Sequence, residues 1–367
     1  MNDYNSQDVA KCSHELALSS RLGMLRCPEC SGNVALSKQR LHCTHCAWEN
    51  TTSLDGGAYN LMARSSDDKS QIATFWGDIY KQWYAARDAE LSTDLLVKQL
   101  KELDDFLCKR KHLAAIEMGG FNLAGKKILE IGSGAGGYAA FFRSRGASMT
   151  CCDITPERAF ATQHKLQLLD GVFPGDGMAF VSDAENLPFH DDSFDIVFSN
   201  GVLHHTNDTV RAISEAYRVL RPGGHAVLML YSRHSALFWT SLVPRGLLTG
   251  RIFTMPEAGW VGWFTEGRPQ FAEERNPITR VYSRSEIVNL MKSFSVKSIR
   301  KSSFMLWHLG IPKIYLFREW LLRLLNVPPH QGALLTHDRA MYIETPLESA
   351  IGAYAGWAWN IVAMKPK

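Results

Sequence analysis

Three glycines at short spacing are the first residues in this 367-residue chain that suggest chemistry. Gly132, Gly134 and Gly137 form the pattern G-x-G-x-x-G within KKILEIGSGAGGYAAFF, directly after an apolar run. Glycine lets a backbone turn sharply and approach a ligand closely, so such a loop can cradle a nucleotide. The pattern alone serves a nicotinamide dinucleotide, a flavin or a sulfonium nucleoside equally well.

Three acidic residues narrow the choice of ligand. Glu130 lies two residues before the first glycine, where its charge would repel a pyrophosphate but would suit a cationic ligand with an α-amino group. Asp153 follows a second apolar run and can hold a ribose diol, although nicotinamide enzymes use the same device. Asp183 follows a third run and can accept from an adenine amine. Glu130 and Asp183 favour S-adenosylmethionine over a dinucleotide, whereas Asp153 suits either.

Four cysteines near the start of the chain form two close pairs. Cys27 and Cys30 make one C-x-x-C motif, and Cys43 and Cys46 make another after twelve residues. Four thiolates at this spacing complete a closed tetrahedral site, which is typical of structural zinc. The residues between the pairs read as a short hairpin with its tip near residues 37–39.

Strands and helices alternate from residue 126 onwards, and this order must position the glycine loop and the acidic residues. KILEI, SMTCCDI, MAFVSDA, FDIVFSN and HAVLMLY read as strands, with helical patterns between most of them. GWAWNIVAMK is predicted to be the last strand. Such alternation builds an α/β fold with a doubly wound, mainly parallel sheet, whose ligands lie beyond the carboxyl ends of the strands.

Composition is that of an ordinary globular enzyme. The hydrophobic fraction is 46%, the charged fraction is 21%, and the net charge of +3 is too small to argue for nucleic acid. The first twenty residues lack the pattern of a secretory leader, and no run of about 18 apolar residues predicts a membrane span. With paired cysteines, these features predict a cytoplasmic protein with ligated metal.

Several motifs together resemble a known family. ILEIGSGAGG, CCDITPE, SDAENLPFHDDSFDIVFSNGVLHH and RVLRPGG are similar to the successive motifs of class I S-adenosylmethionine-dependent methyltransferases, over roughly residues 116–235. The subgroup that acts on small molecules and quinones is the most similar. The cysteine segment and the following GGAYNLM resemble the zinc ribbon that precedes some of these enzymes, including a ribosomal-RNA guanine methyltransferase.

The resemblance implies a Rossmann-like methyltransferase fold and a set of cofactor contacts. It places the glycine loop at the methionine end, Asp153 on the ribose and Asp183 at the adenine edge. The implied cofactor-binding residues are Glu130, Gly132, Ser133, Gly134, Gly137, Asp153, Ile154, Asp183, Ala184, Asn200 and Gly201.

The acceptor side is less sharply defined. His204 and His205 follow the fourth strand, and either could remove a proton from an acceptor, with His204 slightly preferred; structural roles are equally open. Arg280 and Tyr282 could reach an acceptor, or Arg280 could form a surface salt bridge. Aromatic-rich insertions, which include Phe271, are expected to cap a small or lipophilic acceptor. The stretch IYLFREWLLRLL could instead lie on a membrane surface.

The predicted function is methyl transfer from S-adenosylmethionine to a small, apolar or aromatic metabolite. A ribosomal-RNA base methyltransferase and a non-catalytic cofactor-binding partner protein are the alternatives, although the ribbon is only mildly basic. The sequence does not define the oligomeric state. The predicted divisions are a zinc-ribbon module at 1–62, a helical linker or lid at 63–115, the cofactor-binding core at 116–235, a substrate cap at 236–282, a continuation of the core at 283–304, a second helical cap at 305–340 and the last core strand at 341–367.

Overall fold

The computed structural model describes residues 18–37, 40–50, 57–64, 69–267, 275–337 and 339–367. Its eleven described strands form two sheets. Their bounds are β1 Val34–Ser37, β2 Arg40–Cys43, β3 Glu49–Asn50, β4 Tyr59–Asn60, β5 Lys127–Ile131, β6 Ser148–Asp153, β7 Gly177–Val181, β8 Phe194–Asn200, β9 Leu220–Tyr231, β10 Ser295–Ser302 and β11 Ala358–Met364.

The larger sheet has eight strands in the order β10-β11-β9-β8-β5-β6-β7-β4. The six strands from β9 to β4 are parallel, whereas β11 runs antiparallel to β9 and β10 runs antiparallel to β11. Chain order reverses between β5 and β8, so the carboxyl ends of these two strands flank the crevice where ligands bind in such sheets. The predicted doubly wound fold is confirmed.

The helices cover the sheet, and most begin at recognisable start signals. Asp208 and Ser283 accept hydrogen bonds as N-caps, and Pro156 occupies the first turn of its helix. The α-helices are α1 Ser70–Trp83, α2 Ala85–Ala89, α3 Thr93–Lys109, α4 Leu113–Ile116, α5 Gly137–Arg143, α6 Pro156–Gln167, α7 Thr209–Val219, α8 Val243–Leu248, α9 Arg251–Thr254, α10 Glu257–Phe264, α11 Arg284–Leu290, α12 Ile314–Leu324 and α13 Pro346–Ala355.

Apolar side chains are packed on both faces of the larger sheet. Phe141, Phe142 and Phe198 belong to one buried cluster, and Phe180 and Phe189 belong to the other. Each fully buried phenylalanine contributes roughly 1.5–3 kcal/mol through the hydrophobic effect. These clusters hold the strand ends rigid at the edge where the ligand loops emerge.

The small cysteine-bearing sheet, β1-β2-β3, packs against the large one. Leu25, Leu41 and Trp48 are buried in the same cluster as Phe180 and Phe189, and Leu25 also forms a bridge with Phe189. The two sheets therefore share one apolar core. Of the predicted hairpin tip, Lys38 and Gln39 lie outside the described residues.

The two predicted caps are helical, but their aromatic residues divide into two groups. Phe238 and Trp260 pack with Tyr231 and Trp357 in a separate buried cluster. Other aromatic residues of the insertions are exposed, namely Trp239, Phe253, Trp307, Tyr315, Phe317 and Trp320. Phe271 lies outside the described residues. Among the described helices, none is long and apolar enough to cross a bilayer.

Candidate active site

The glycine loop connects β5 to α5 and has a backbone that only glycine adopts easily. Gly132 and Gly134 have φ values of +73° and +55°. A Cβ atom at Gly132 would lie 2.3 Å from Val202 Cγ2, so a larger residue would clash with the loop after β8. The loop therefore lies directly against the neighbouring strand end, and it keeps its backbone open to the cavity.

One cavity lies above the carboxyl ends of the parallel strands. Its walls come from the glycine loop, the loops after β6, β7 and β8, the N-terminal helix α1 and the segment after α12. The wall includes Ile131, Gly132, Ser133, Gly134, Gly137, Tyr138, Asp153, Ile154, Asp183, Ala184, Glu185, Asn200, Gly201, Val202, His205, Lys69, Ile72, Trp76, Tyr84, Leu335, Thr336 and His337. Ten of the eleven predicted cofactor-binding residues lie on it; Glu130 does not.

Asp153 is fixed in place at the end of β6. Its Oδ2 accepts from the backbone N–H of Gly134 at 2.9 Å, and its Oδ1 accepts from the backbone N–H and hydroxyl of Thr155 at 3.0 and 2.9 Å. These bonds tie the carboxylate to the glycine loop and orient it at the cavity. The arrangement can present acceptor oxygens to two adjacent hydroxyl groups.

Glu130 is buried behind the cavity wall and is 1% exposed. Burial, and then repulsion from Asp153, raises the pKa of Glu130 well above its usual value. The thiol of Cys151 lies 4.0 Å from Glu130 Oε2. In this structure Glu130 therefore lies behind the cavity wall, and its raised pKa favours the uncharged carboxyl group.

Asp183 has a partner that the sequence patterns did not indicate. The ammonium of Lys69, immediately before α1, lies 2.6 Å from Asp183 Oδ2 and 2.8 Å from Glu185 Oε2. Asp183 Oδ1 accepts from the backbone N–H of Glu185 at 2.9 Å. Leu187 and Phe189, which follow Asp183 in the chain, are buried core residues.

The structure places His205, rather than His204, on the cavity wall. The Nδ1 of His205 lies 2.9 Å from the carbonyl oxygen of Ile278 and 3.2 Å from Asn276 Nδ2; the shorter contact, to an oxygen that can only accept, favours a proton on Nδ1. Its Nε2 has no hydrogen-bond partner among the described residues and lies 3.9 Å from Glu266 Oε1. Burial lowers the pKa of His205, which favours the neutral ring.

His204 is packed below the cavity. It is completely buried, and its ring lies 3.8 Å from the ring of Tyr231, centroid to centroid. Burial lowers the pKa of His204 well below its ordinary value. The sequence-based preference for His204 over His205 is therefore reversed by the geometry.

Arg280 and Tyr282 are not on the cavity wall. Arg280 donates to the backbone carbonyls of Thr206 and Asn207, the latter at 2.8 Å, and so it holds the loop that carries His205. Tyr282 is 9% exposed, and its backbone pairs with Tyr231 at 2.9 Å. These two residues support the loop from behind, where the sequence had suggested contact with an acceptor.

Several wall residues were missed from sequence. Tyr138 Oη lies 3.2 Å from His112 Nε2 and 3.3 Å from Asn200 Nδ2. His112 Nδ1 accepts from a backbone N–H, so its Nε2 is a donor, and Tyr138 keeps its own proton to donate. The position of Tyr138 next to Gly137 in the sequence could have identified Tyr138 as a wall residue. His337 has no such signal in the sequence; burial in the folded protein lowers its pKa to about 3.

The four cysteines of the small sheet converge on one point. Their sulfur atoms all lie within 4.8 Å of one another, with 3.7 Å between Cys27 and Cys46 and 3.5 Å between Cys30 and Cys43. A tetrahedral zinc with Zn–S bonds of about 2.3 Å needs sulfurs about 3.8 Å apart. Backbone N–H groups of Glu29 and His45 point at two of the sulfurs. The donor set and spacing fit zinc.

Comparisons with known proteins agree with this geometry. Residues 129–228 match the sequence model of a methyltransferase domain. The phthiotriol/phenolphthiotriol dimycocerosates methyltransferase of Mycobacterium leprae is 41% identical over 107 residues, 28% of this chain and 37% of that protein. The ubiquinone biosynthesis O-methyltransferase of Pseudomonas syringae pv. tomato is 28% identical over 253 residues, 65% of this chain and 100% of that protein.

The chain spans less than half the length of several relatives that it matches. Among solved structures, an S-adenosylmethionine-dependent methyltransferase of Methanosarcina mazei has 20% identity and a TM-score of 0.45, and it covers 68% of this chain and 97% of its own. Residues 129–228 thus match a methyltransferase domain, and the glycine loop, the strand order and the cavity lie within or beside that segment.

Proposed function

We propose that the chain is a methyltransferase that transfers the methyl group of S-adenosylmethionine to a small, apolar or aromatic molecule. The observation that carries this proposal is one shared cavity, in which the glycine loop, Asp153, Asp183 and Asn200 form a wall together with His205. A candidate cofactor site and a candidate proton acceptor therefore line the same cavity.

The residues present fit this cofactor. The loop backbone faces open space at Gly134, where a Cβ atom would meet nothing closer than 3.9 Å, and Asp153 presents a fixed carboxylate. The Oδ1 of Asn200 is buried without a partner among the described residues, so it can accept from a ligand donor. Asp153 would hold the ribose, Asp183 with Ala184 the adenine edge, and the glycine loop the methionine end.

Bound S-adenosylmethionine supplies a methyl group that a positively charged sulfur already activates. The chain's own residues need only orient the acceptor, exclude water and receive a proton. Trp76 and Tyr84 from the N-terminal helices, with Leu335 from the far end of the chain, contribute bulky side chains to the cavity wall. In-line displacement requires that the acceptor be held in a fixed orientation to the methyl group.

His205 is the residue that we assign to proton removal. Its Nδ1–H is held by the carbonyl of Ile278, which leaves the lone pair of Nε2 unprotonated. A neutral imidazole can accept a proton from an acceptor hydroxyl as the methyl group is transferred. The ring packs 5.1 Å from Trp76, centroid to centroid, so its orientation is restricted.

The acceptor side of the cavity supports an apolar or aromatic molecule. Ile72, Trp76, Val202 and Leu335 provide apolar surface, while Tyr138 can donate one hydrogen bond. Pockets for small molecules usually combine such surface with a few polar groups. The names of the relatives, which refer to ubiquinone biosynthesis and to phthiotriol dimycocerosates, are compatible with a small-molecule acceptor.

We assign the four-cysteine cluster to structural zinc. Four thiolates would leave no open coordination position for chemistry. The ribbon contacts the adenine-side loop, because Asn186 Nδ2 donates to the carbonyl of Pro28 at 2.9 Å and Arg26 donates to the carbonyl of Leu187 at 3.2 Å. The metal would thus stabilise the part of the cavity wall that carries Asp183.

A labelling experiment tests the proposal. Purified protein is incubated with methyl-labelled S-adenosylmethionine and, separately, with a lipid extract, a polar metabolite extract and bulk RNA. We expect label in one small-molecule product of an extract and none in RNA. Label in RNA alone, or no labelled product in any fraction while S-adenosylmethionine binds, would contradict it.

A further inference from the structure

Exposed apolar side chains are concentrated on the two insertions. Among the described residues, fourteen of the twenty-two exposed large hydrophobic side chains lie in the segments 239–253 and 307–327. We call these fourteen the apolar cap face. They are Trp239, Leu247, Leu248, Phe253, Trp307, Ile311, Tyr315, Leu316, Phe317, Trp320, Leu321, Leu324, Leu325 and Val327. Such a concentration differs from the scattered apolar residues of an ordinary surface and marks an interaction site.

The helix that carries much of the apolar cap face is anchored to the rest of the protein by buried polar contacts. On the inner side of α12, Arg318 is 3% exposed and forms two hydrogen bonds with Glu348, at 2.7 and 2.8 Å. It also donates to the carbonyl of Ile343 at 2.9 Å. This anchor turns the opposite side of the helix outward, where Phe317 is 56% and Trp320 is 58% exposed.

The two insertions are joined at one point. The hydroxyl of Thr240 donates to the carbonyl of His308 at 2.9 Å, and Gly310 packs so closely on Thr240 that a Cβ atom there would lie 2.6 Å from its carbonyl oxygen. The segment that bears Trp239 therefore lies beside the one that leads into α12. The apolar cap face belongs to a single connected substructure.

The charges of this substructure identify the occupant. The stretches 236–255 and 303–329 contain five cationic side chains and one carboxylate, Glu319. Arg318 is neutralised by Glu348, but Arg245, Lys313 and Arg323 are exposed. Tryptophan, tyrosine and leucine beside lysine and arginine are typical of helices that lie in the interface of an anionic bilayer.

We propose that the apolar cap face docks onto a lipid bilayer with anionic headgroups. At eleven residues, α12 is too short to span a bilayer and lies in its surface. Its apolar side chains enter the acyl boundary while the basic residues contact the headgroups. Leu335, Thr336 and His337, which follow α12 by eleven to thirteen positions in the chain, line the cavity.

Vesicle co-sedimentation of the full chain tests this proposal. The probes are vesicles of phosphatidylcholine alone and vesicles that also contain phosphatidylglycerol. We expect binding to the anionic vesicles, with salt reducing it. Phe317→Ser with Trp320→Ser should weaken that binding about tenfold or more, since two large apolar side chains leave the interface. The control is the double variant Val172→Ser with Val210→Ser, because Val172 and Val210 are also exposed but lie outside the apolar cap face. This control should bind vesicles as the unchanged chain does.

Two further measurements separate the possible occupants. Lys313→Gln with Arg323→Gln should abolish the preference for phosphatidylglycerol, and brominated lipid should quench tryptophan fluorescence of the unchanged chain. Failure of the unchanged chain to bind anionic vesicles would overturn the proposal. So would unaltered binding by the Phe317 and Trp320 double variant. A dimer in sedimentation velocity that this double variant dissociates, without vesicle binding, would assign the face to a second copy.

Discussion

The ammonium of Lys69 lies 2.6 Å from the carboxylate of Asp183, across 114 positions of sequence. Lys69 is 7% exposed and also lies 2.8 Å from Glu185. One lysine therefore compensates two buried carboxylates on the adenine side of the cavity. It ties the start of α1 to the loop after β7, and so links the helix that covers the cavity to its wall.

Replacing Lys69 should cost the protein substantial stability. Lys69→Met leaves Asp183 and Glu185 buried without a counter-charge, and breaking such a buried pair typically costs about 3 kcal/mol. Urea unfolding should show a lower free energy of unfolding. Lys81→Met, whose side chain is 52% exposed, is the matched control and should change it by less than about 1 kcal/mol. Equal stabilities of the two variants would contradict this account.

His205→Ala should reduce turnover without loss of cofactor binding. General base catalysis contributes about 10²–10⁴-fold, and kcat should fall within that range. Calorimetric affinity for S-adenosylmethionine should stay close to that of the unchanged enzyme. His190→Ala, outside the cavity, should leave kcat unaltered. Full activity in the His205 variant would remove His205 from the mechanism.

The same residue sets a pH dependence. Burial lowers the pKa of His205 below 6.5, so its neutral, proton-accepting form persists into mildly acidic solution. The acid limb of the kcat/KM profile should consequently fall below pH 6.5. An acid limb well above that pH, with His205 intact, would show that another group limits the reaction.

Glu130 should make the folded protein less stable as pH rises. Burial raises its pKa above 4.5, so above pH 4.5 the unfolded chain loses this proton more readily than the folded one. Glu130→Gln removes that penalty. The variant should match the unchanged protein near pH 4 and gain stability over it as pH increases to 8, in urea unfolding without cofactor. A difference that does not vary with pH would contradict the assignment.

Removing the metal should disturb the adenine-side loop as well as the ribbon. Cys27→Ser should lower bound zinc, measured by elemental analysis, and should raise hydrogen exchange at residues 186–190. The reason is that His190 N donates to the carbonyl of Met24 at 2.7 Å and Asn186 contacts Pro28. Cys108→Ser, an exposed thiol elsewhere, is the control. Unchanged exchange in zinc-free protein would show that the ribbon is energetically separate.

The sequence predicted those features that short-range patterns encode. Apolar runs gave β5 to β9 and β11, and the glycine spacing located the loop between β5 and α5. Asp153 could be placed because the ends of parallel strands share one edge of a sheet. Ser283 and Glu286 form a capping box, whose S-x-x-E spacing is also a local pattern.

Contacts between distant segments escaped the sequence patterns. Lys69 reaches Asp183, and Leu335 reaches Gly137, only because the folded chain brings them together. The insertions show the same limit, since periodicity revealed their aromatic residues but not whether these face the cavity, a buried cluster or solvent. Trp260 is buried, whereas Trp320 is exposed.

The central claim is that Asp153 and the glycine loop hold a cationic sulfur nucleoside. Titration calorimetry with S-adenosylmethionine tests it most directly, using the unchanged chain, Asp153→Ala and the exposed control Asp94→Ala. Loss of two charge-assisted hydrogen bonds should weaken binding by Asp153→Ala about 100-fold or more, while the control binds normally. Equal affinity in all three proteins, or binding of NAD in place of S-adenosylmethionine, would contradict the account.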